Sequence, residues 1–282
     1  MHDKSSAPVN QAHPFLEAAQ GRVPSRPPVW IMRQAGRYLP EYRRVRALFP
    51  NFLDFCRSPE HVAEVTVQPV AQIGVDAAIL FSDILVLLPP MGLNLEFVEG
   101  EGPVVHNPVR DLAAIEKLPG HDVNGELDYV FKGIQLTLRD LSGTVPLIGF
   151  AGGPFTVASY MVEGGSSKEL AHLKGLMFSN PKAYHLLLSK LAALTGAYLL
   201  EQIRQGVHAV TLMDSWAGYL SPQDYREFVY PHTREVIARI KAQFPGFPVI
   251  HYANGAPTLL DDFVSLGADV VGLDLSDFII YR

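Results

Sequence analysis

Four short apolar runs, each following a glycine that ends a helix-like segment, are the feature that most restricts the fold of this chain. The glycines are Gly74, Gly206, Gly246 and Gly267. Glycine ends a helix at low cost by adopting the left-handed conformation, and a strand buried on both faces reads as a continuous apolar run. Each unit is therefore predicted to be a helix, a tight turn and a buried parallel strand, which indicates an α/β fold.

These and similar runs predict six strands, at residues 27–32, 77–83, 145–152, 208–215, 248–254 and 269–274. Helices are predicted at residues 59–73, 126–142, 155–163, 168–205 with a break near residue 180, 222–243 and 257–266. Three helix starts place a capping side chain directly before a proline, at Ser58, Asn180 and Ser221. A segment from residue 93 alternates around two glycines, which predicts a β-hairpin.

Polar residues at the ends of the predicted strands favour a (β/α)8 TIM barrel over an open sheet. They are Ser82-Asp83, Asp214-Ser215, His251 to Asn254, and Asp274. The C-terminal face of a barrel gathers such residues around its active site. An open dinucleotide-binding sheet would need GxGxxG after its first strand, where this chain has RQAGRY. We predict one barrel domain over residues 1–282, with a flexible extension at residues 1–20.

Composition narrows the class of protein further. The single cysteine, Cys56, excludes an internal disulfide and favours a reducing compartment. The first 20 residues lack the apolar core of a signal peptide, so we expect a cytoplasmic protein. The net charge of −6 and the single arginine-rich patch argue against nucleic acid as a partner. The most apolar stretch, from Ala77, is interrupted by Asp83 and Pro89, which argues against a membrane span.

The segment MRQAGRYLPEYRRVR, which starts at Met32, concentrates arginine in an otherwise acidic chain. It contains one acid and the arginines Arg33, Arg37, Arg43, Arg44 and Arg46. A guanidinium is always charged and matches the geometry of a carboxylate or phosphate. A solvated basic loop is the alternative explanation for a charge run. The interleaved glycine, glutamine and tyrosines favour a polyanion-binding site.

Several motifs resemble the uroporphyrinogen decarboxylase family. They are PVWIMRQAGRYLPEYR from Pro28, FSDILV from Phe81, PLIGFAGGPFT from Pro146, YMVEGG from Tyr160 and VVGLD from Val270. The resemblance implies a (β/α)8 barrel, a homodimer without cofactor or metal, and a carboxy-lyase of haem biosynthesis. The implied reaction removes carbon dioxide from the four acetate side chains of uroporphyrinogen III and gives coproporphyrinogen III.

The resemblance also implies which residues form the site. Asp83 matches an aspartate that accepts hydrogen bonds from the four pyrrole NH groups, and Asp83, Arg33, Arg37 and Tyr160 match the catalytic group. The proton donor is left open between Arg33 and a water held by Arg37. The implied substrate-binding residues are Arg33, Gln34, Ala35, Gly36, Arg37, Arg46, Phe81, Asp83, Phe150, Tyr160 and Ser215.

The chain departs from the family pattern after VVGLD. The family continues through two more strands, whereas residues 275–282 form an unrelated tail, so we expect six of eight strands in a truncated barrel. Trp216 and Leu275 stand where many relatives have histidine and tryptophan. The activity of this truncated chain is therefore left open.

Other interpretations of the same residues stay open at this point. Asp83 could cap the helix after its strand, Tyr160 could be a packed tyrosine, and Ser215 could be a turn residue. The chain could be a non-catalytic product that binds porphyrinogen or pairs with a full-length subunit. It could also belong to a related methylcobalamin-dependent methyltransferase branch that binds zinc. The single cysteine argues against that branch, and His61 and His251 lack ligand spacing.

Overall fold

The computed structural model describes residues 9, 12–119 and 123–274. The strands are β1 (Ala78–Ile79), β2 (Leu95–Val98), β3 (Gly102–Val105), β4 (Leu147–Gly152), β5 (Ala209–Asp214), β6 (Val249–Ala253) and β7 (Val270–Gly272). The α-helices are α1 (Pro14–Ala19), α2 (Pro40–Arg46), α3 (Phe52–Cys56), α4 (Pro59–Ile73), α5 (Leu112–Glu116), α6 (Val123–Glu126), α7 (Asp128–Leu141), α8 (Pro154–Glu163), α9 (Ala171–Ser179), α10 (Pro181–Arg204), α11 (Pro222–Asp224), α12 (Tyr230–Gln243) and α13 (Leu260–Ser265). A π-helix (Tyr225–Val229) joins α11 to α12, and 3₁₀ turns cover Pro89–Met91, Ala217–Tyr219 and Pro257–Leu259.

A parallel sheet in the order β1-β4-β5-β6-β7 forms the centre of the fold. All four pairs of neighbouring strands are parallel, with helices between them along the chain. The predicted strands at 145–152, 208–215, 248–254 and 269–274 are confirmed, and 77–83 is confirmed as the short β1. β2 and β3 form the predicted hairpin. This is an α/β fold of the barrel type, with five sheet strands among the described residues.

The predicted strand at residues 27–32 is wrong. Pro27 and Pro28 have no backbone NH to donate to a ladder. Val29 instead donates its NH to the Asp76 carboxylate at 2.7 Å and accepts the Asp76 NH at 2.7 Å. Val29 and Ile31 are 61% and 44% exposed, so this apolar run is not buried in the sheet.

Most predicted helix boundaries agree with the structure. α4 spans residues 59–73 as predicted, and Asn180 separates α9 from α10 while capping Ala183 N at 3.2 Å. Ser221 also caps, at Asp224 N. The cap at Ser58 is wrong, because its hydroxyl contacts His61 Nδ1 at 2.7 Å instead.

Two further sequence expectations need correction. Gly246 does not end a helix in the left-handed conformation, because α12 has already ended at Gln243. The expected flexible extension includes α1, whose Phe15 and Leu16 are buried in the main core. Residues 1–8 and the expected tail at 275–282 lie outside the described residues, and the single-domain assignment stays a prediction.

α10 is long and apolar enough to cross a membrane by length and composition. Within the fold, however, 67% of its apolar window is buried. Its buried residues include Tyr184, Leu191 and Tyr198, which join the main hydrophobic core. The packing of this helix against the rest of the chain accounts for its apolar sequence.

A side chain from α10 also completes the sheet. The pairing of β1 with β4 ends at Ile79 and Ile148. The next NH and carbonyl groups of β4 on the β1 side are those of Phe150, and they need another hydrogen-bond partner. Gln202 supplies it, accepting from Phe150 N at 3.0 Å and donating to Phe150 O at 2.9 Å. Gly149 leaves room for this amide, because a Cβ there would lie 2.3 Å from Gln202 Oε1.

The loops at the carboxyl ends of the strands are in close contact with one another. Gly153, directly after β4, donates its NH to Met213 O of β5 at 2.7 Å. A Cβ on Gly218, after β5, would lie 2.2 Å from the carbonyl oxygen of Asn254, after β6. Gly255 N donates to Asp274, after β7. These loops therefore pack tightly against one another at the carboxyl ends of the strands.

Two glycine-to-alanine variants test the role of Gln202 with the same chemical change. We expect Gly149→Ala to lower the free energy of unfolding by about 2–4 kcal/mol, because the new methyl displaces the amide that satisfies Phe150. Gly175→Ala in α9, where a Cβ meets nothing within 4 Å, should raise it by about 0.5–1 kcal/mol. Urea denaturation measures both, and equal effects of the two variants would contradict this role.

Candidate active site

A pocket of about 620 Å³ lies beside the carboxyl ends of β1, β4 and β5. Its lining combines residues from the arginine-rich segment, from the chain after β1, from the hairpin and from α8. The lining residues are Met32, Arg33, Gln34, Ala35, Gly36, Arg37, Tyr38, Tyr42, Phe52, Ile79, Leu80, Phe81, Ser82, Asp83, Ile84, Leu85, Phe97, Pro103, Phe150, Tyr160, Met213 and Ser215. The structure therefore brings ten of the eleven predicted substrate-binding residues into one pocket.

Arg33 and Arg37 are exposed and lie at the opening of this pocket. Gln34 between them is 0% exposed. Its amide donates to Ala77 O at 3.2 Å and accepts from Ile31 N at 3.4 Å. The Gln34 side chain is thus hydrogen-bonded within the protein, while Gln34 also lines the pocket, so its contact with substrate stays a prediction. It holds the segment so that the neighbouring arginines face the pocket.

Arg46 is the one predicted substrate-binding residue that does not line the pocket. It lies in the last turn of α2, and its guanidinium donates to Phe49 O at 2.8 Å. Arg43 also acts within the protein, donating to Arg37 O at 2.7 Å. Of the five arginines in the segment, Arg33 and Arg37 line the pocket.

Asp83 lies four residues after β1 and is partly buried. Its Oδ1 accepts the NH of Leu85 at 2.8 Å, and its Oδ2 accepts no hydrogen bond from the described residues. Burial raises the pKa of Asp83 to about 6, while the Leu85 NH and the charge of Arg33 oppose that rise. A carboxylate held this way is ready to accept further donors or a cation from a bound molecule.

Aromatic side chains form one wall of the pocket. Phe81 packs against Phe52, Phe55 and Tyr42, with ring centroids 4.7 to 5.8 Å apart. Phe97 of the hairpin packs on Phe52 at 4.9 Å. Such a wall can pack against the apolar rings of a ligand.

Phe97 and Pro103 are lining residues that sequence reasoning missed. The available signal was the hairpin itself, which is inserted after β1 on the side of the sheet where the strands end. The place of the predicted hairpin in the chain, after β1, therefore indicated that its residues could line the site.

Tyr160, Ser215 and Phe150 also line the pocket. Tyr160 lies in α8, and its ring packs edge-on against Trp216 at 5.9 Å. Ser215 directly follows β5. All three therefore share one pocket with Arg33 and Asp83, and their roles in it stay predictions.

Several other strand-end polar residues do not reach the pocket. Asp214 is 0% exposed and bonds to Thr156 of α8. His251 is 0% exposed and packs on Phe263 at 4.7 Å, and burial lowers its pKa to about 4. Residues alternate between the two faces of a strand, so only every second strand-end residue can face the pocket.

The fold and the pocket together define a class of protein. It is a parallel α/β enzyme whose site, at the carboxyl ends of its strands, combines exposed guanidinium groups with a partly buried carboxylate and an aromatic wall. Such a site suits a ligand with apolar rings that carries several carboxylates and an inner group able to donate hydrogen bonds. Among the described residues, no group of three or more metal-ligating side chains is present.

Comparison with known proteins identifies the family. The uroporphyrinogen decarboxylase (URO-D) family model matches residues 10–279. Curated uroporphyrinogen decarboxylases of Geotalea daltonii and Geobacter metallireducens are 48% and 49% identical over 260 residues, which is 92% of this chain and 75% of each relative. The chain belongs to the uroporphyrinogen decarboxylase family, a family of carboxy-lyases, and spans about three quarters of the length of these relatives.

A solved structure shares the fold at low sequence identity. A methyltransferase from Methanosarcina mazei matches with a TM-score of 0.76 and 18% identity, covering 93% of this chain and 75% of that one. At this identity the match supports the fold and not the reaction. The thiol of Cys56 is buried, and burial raises its pKa far above the ordinary value, so it is poorly suited to binding zinc as a thiolate.

Replacement of Asp83 by asparagine tests how far the charge of Asp83 lowers the free energy of unfolding. The folded-state pKa of about 6 lies above the ordinary 3.8, so the folded protein binds the proton more tightly and loses stability as the pH rises between these values. Above pH 6 we expect Asp83→Asn to be more stable than the wild type by about 1–3 kcal/mol.

The stability difference between Asp83→Asn and the wild type should vanish below about pH 4, where both carry a neutral side chain. Urea denaturation over a pH series measures it. Asp261→Asn, at an exposed position on α13, serves as the control and should change stability by less than about 0.5 kcal/mol. A loss of stability in Asp83→Asn at neutral pH would contradict the buried-charge description.

Proposed function

We propose that this chain decarboxylates the four acetate side chains of uroporphyrinogen III and yields coproporphyrinogen III. The observation that carries the proposal is the presence of Arg33, Arg37 and Asp83 in one pocket, with the cations at its opening and the acid inside. Family membership supports the same reaction, because the curated relatives bear the name uroporphyrinogen decarboxylase. We further propose a cytoplasmic homodimer that uses no cofactor, on the resemblance alone.

The chemistry of the substrate fits the polarity of the pocket. Uroporphyrinogen carries eight carboxylates around its edge and four pyrrole NH groups at its centre. Arg33 and Arg37 would bind edge carboxylates through charge-assisted hydrogen bonds. The free Oδ2 of Asp83 would accept the central NH groups, and Phe81 and Phe97 would contact the flanks of the macrocycle.

The reaction needs a positive charge on the pyrrole ring that reacts. Protonation of a ring carbon makes the ring cationic, and the bond between the acetate methylene and its carboxylate then breaks. Its electron pair moves into the ring and carbon dioxide leaves. A proton adds to the former methylene carbon, which becomes a methyl group, and the ring proton is released. Each cycle therefore consumes one proton.

Asp83 would stabilise the cationic ring electrostatically. A pair of opposite charges about 4 Å apart at an effective dielectric near 20 is worth roughly 4 kcal/mol, which corresponds to about a thousandfold in rate. The gain counts only as far as the pair is stronger in the transition state than in the ground state. Arg33, or a water held by Arg37, is the proposed source of the proton, and Tyr160, which also lines the pocket, would contact the reacting acetate.

Substitution of the pocket arginines tests substrate binding separately from turnover. We expect Arg33→Gln and Arg37→Gln each to weaken binding of uroporphyrin, the oxidised analogue, by about 10–100-fold, because each removes a charge-assisted contact. Arg44→Gln is the matched control, since Arg44 is exposed and does not line the pocket. Fluorescence titration measures the dissociation constants. Equal weakening in all three variants would argue for a diffuse charge effect instead of a site.

Substitution of Asp83 tests the reaction itself. We expect Asp83→Asn to lower kcat at least about a hundredfold. We also expect wild-type kcat/KM to fall as the pH decreases through about 6, where Asp83 becomes neutral. Coproporphyrinogen formation, followed by chromatography after oxidation, measures both. A wild-type chain that binds uroporphyrin tightly but forms no product would contradict the proposal and favour the non-catalytic binding role.

A further inference from the structure

Behind the pocket, a buried carboxylate connects the two elements that carry Tyr160 and Ser215. Asp214 is the last residue of β5 and directly precedes Ser215. Its Oδ1 accepts a hydrogen bond from Thr156 Oγ1 at 2.7 Å, and Thr156 lies in α8 one turn before Tyr160. The Thr156 hydroxyl accepts in turn from Trp216 N at 3.2 Å. One hydroxyl thus connects both sides of Ser215 to α8.

Asp214 also takes the place of a capping residue for α8. The N-cap of this helix is Gly153, which has no side chain to cap with. A Cβ on Gly153 would lie 2.7 Å from Asp214 Cγ, so the carboxyl group fills the space next to the helix start. The backbone of Thr156 also donates to Asp214. A carboxylate is stabilised here by free NH groups and by the positive end of the helix dipole.

Burial of the Asp214 carboxylate lowers the stability of the fold. Asp214 is 0% exposed, and its Oδ2 has no hydrogen-bond partner among the described residues. Burial raises its pKa to about 6, against the opposing hydrogen bonds of Thr156. The charge of Asp214 is tolerated at this buried position because the hydroxyl and the backbone NH of Thr156 donate hydrogen bonds to it. These hydrogen bonds therefore keep the carboxylate at the start of α8.

The loop held by this network reaches Tyr160 through a second contact. Trp216, whose backbone NH is bound by Thr156, packs its ring against Tyr160 at 5.9 Å and against Tyr219 at 5.2 Å. Tyr160 and Ser215 both line the pocket. Their relative position is therefore fixed twice, by the hydrogen bonds of Thr156 and by the ring of Trp216.

We propose that Asp214 and Thr156 are positioning residues that hold Tyr160 and Ser215 at a fixed separation around the reacting acetate. Neither touches the substrate, because neither lines the pocket. The inference rests on the proposed decarboxylation, since that reaction gives Tyr160 and Ser215 their roles. Small displacements of such groups reduce turnover more than they reduce binding.

Thr156→Val removes the hydroxyl at nearly constant volume. We expect it to lower kcat about tenfold or more while KM changes by less than about threefold. Thr156→Ser restores the hydroxyl and should restore kcat. Thr195→Val is the matched control, because Thr195 is also 0% exposed but its hydroxyl has no hydrogen-bond partner among the described residues. Its kcat should match the wild type.

A fluorescence measurement tests the same network without relying on activity. The chain has two tryptophans, so Trp30→Phe leaves Trp216 as the only reporter. In this background, Thr156→Val should increase acrylamide quenching of Trp216 in the ligand-free protein, because the loop loses its anchor. Thr156→Ser and Thr195→Val should leave quenching unchanged.

Asp214→Asn provides a second variant if Thr156→Val does not fold. The amide keeps an acceptor for the Thr156 hydroxyl but removes the charge at the start of α8, so an intermediate loss of kcat and an intermediate quenching constant are expected. Wild-type values of both in either variant would overturn the proposed positioning role, as would a loss of kcat in Thr156→Val with unchanged Trp216 quenching. A wild-type chain without decarboxylase activity would refute the proposed function, whereas the quenching data alone would still report whether the loop is anchored.

Discussion

The arginine-rich segment is held in place by hydrogen bonds that replace the strand ladder it lacks. Asp76 binds the guanidinium of Arg26 and the NH of Val29, and Gln34 binds the carbonyl of Ala77. Asp76 and Ala77 directly precede β1, and Asp83 follows the same strand. The cations and the acid of the pocket are thus positioned relative to one short strand, so their separation is set locally and does not depend on the distant parts of the sheet.

The sequence predicted the regular part of the fold because burial on both faces leaves a clear pattern. β4 has no polar side chain, β5 has only Thr211 and its last residue Asp214, and both strands lie within the predicted bounds. Residues 27–32 have a similar apolar composition but pack at the edge, where Val29 is largely exposed. Composition cannot distinguish a buried strand from an irregular segment whose hydrogen bonds go to a distant side chain such as Asp76.

The sequence predicted a site residue well where its side chain has one usual role. It predicted less well where the side chain can either bind a ligand or bond to the backbone. Arg33, Arg37 and Asp83 share the pocket as expected. Gln34 and Arg46 belong to the same sequence block, yet both bond to backbone carbonyls, a use that glutamine and arginine adopt equally well. The hydrogen bond between Asp214 and Thr156 could not be predicted from the sequence for another reason. The N-cap of α8 is a glycine, and the carboxylate that replaces the missing capping side chain comes from a residue about 60 positions away in the sequence.

The close approach of Gly218 to Asn254 limits how this pocket can change its shape. The two loops meet backbone to backbone, and the next loop is bonded through Gly255 to Asp274. A side chain at Gly218 would collide with the backbone of Asn254 and Gly255. The turn of the hairpin is not crowded in this way, because a Cβ on Gly100 would meet nothing within 4 Å. Adaptation to a wider or narrower ligand is therefore possible by lengthening or shortening the hairpin, while the strand ends keep their spacing.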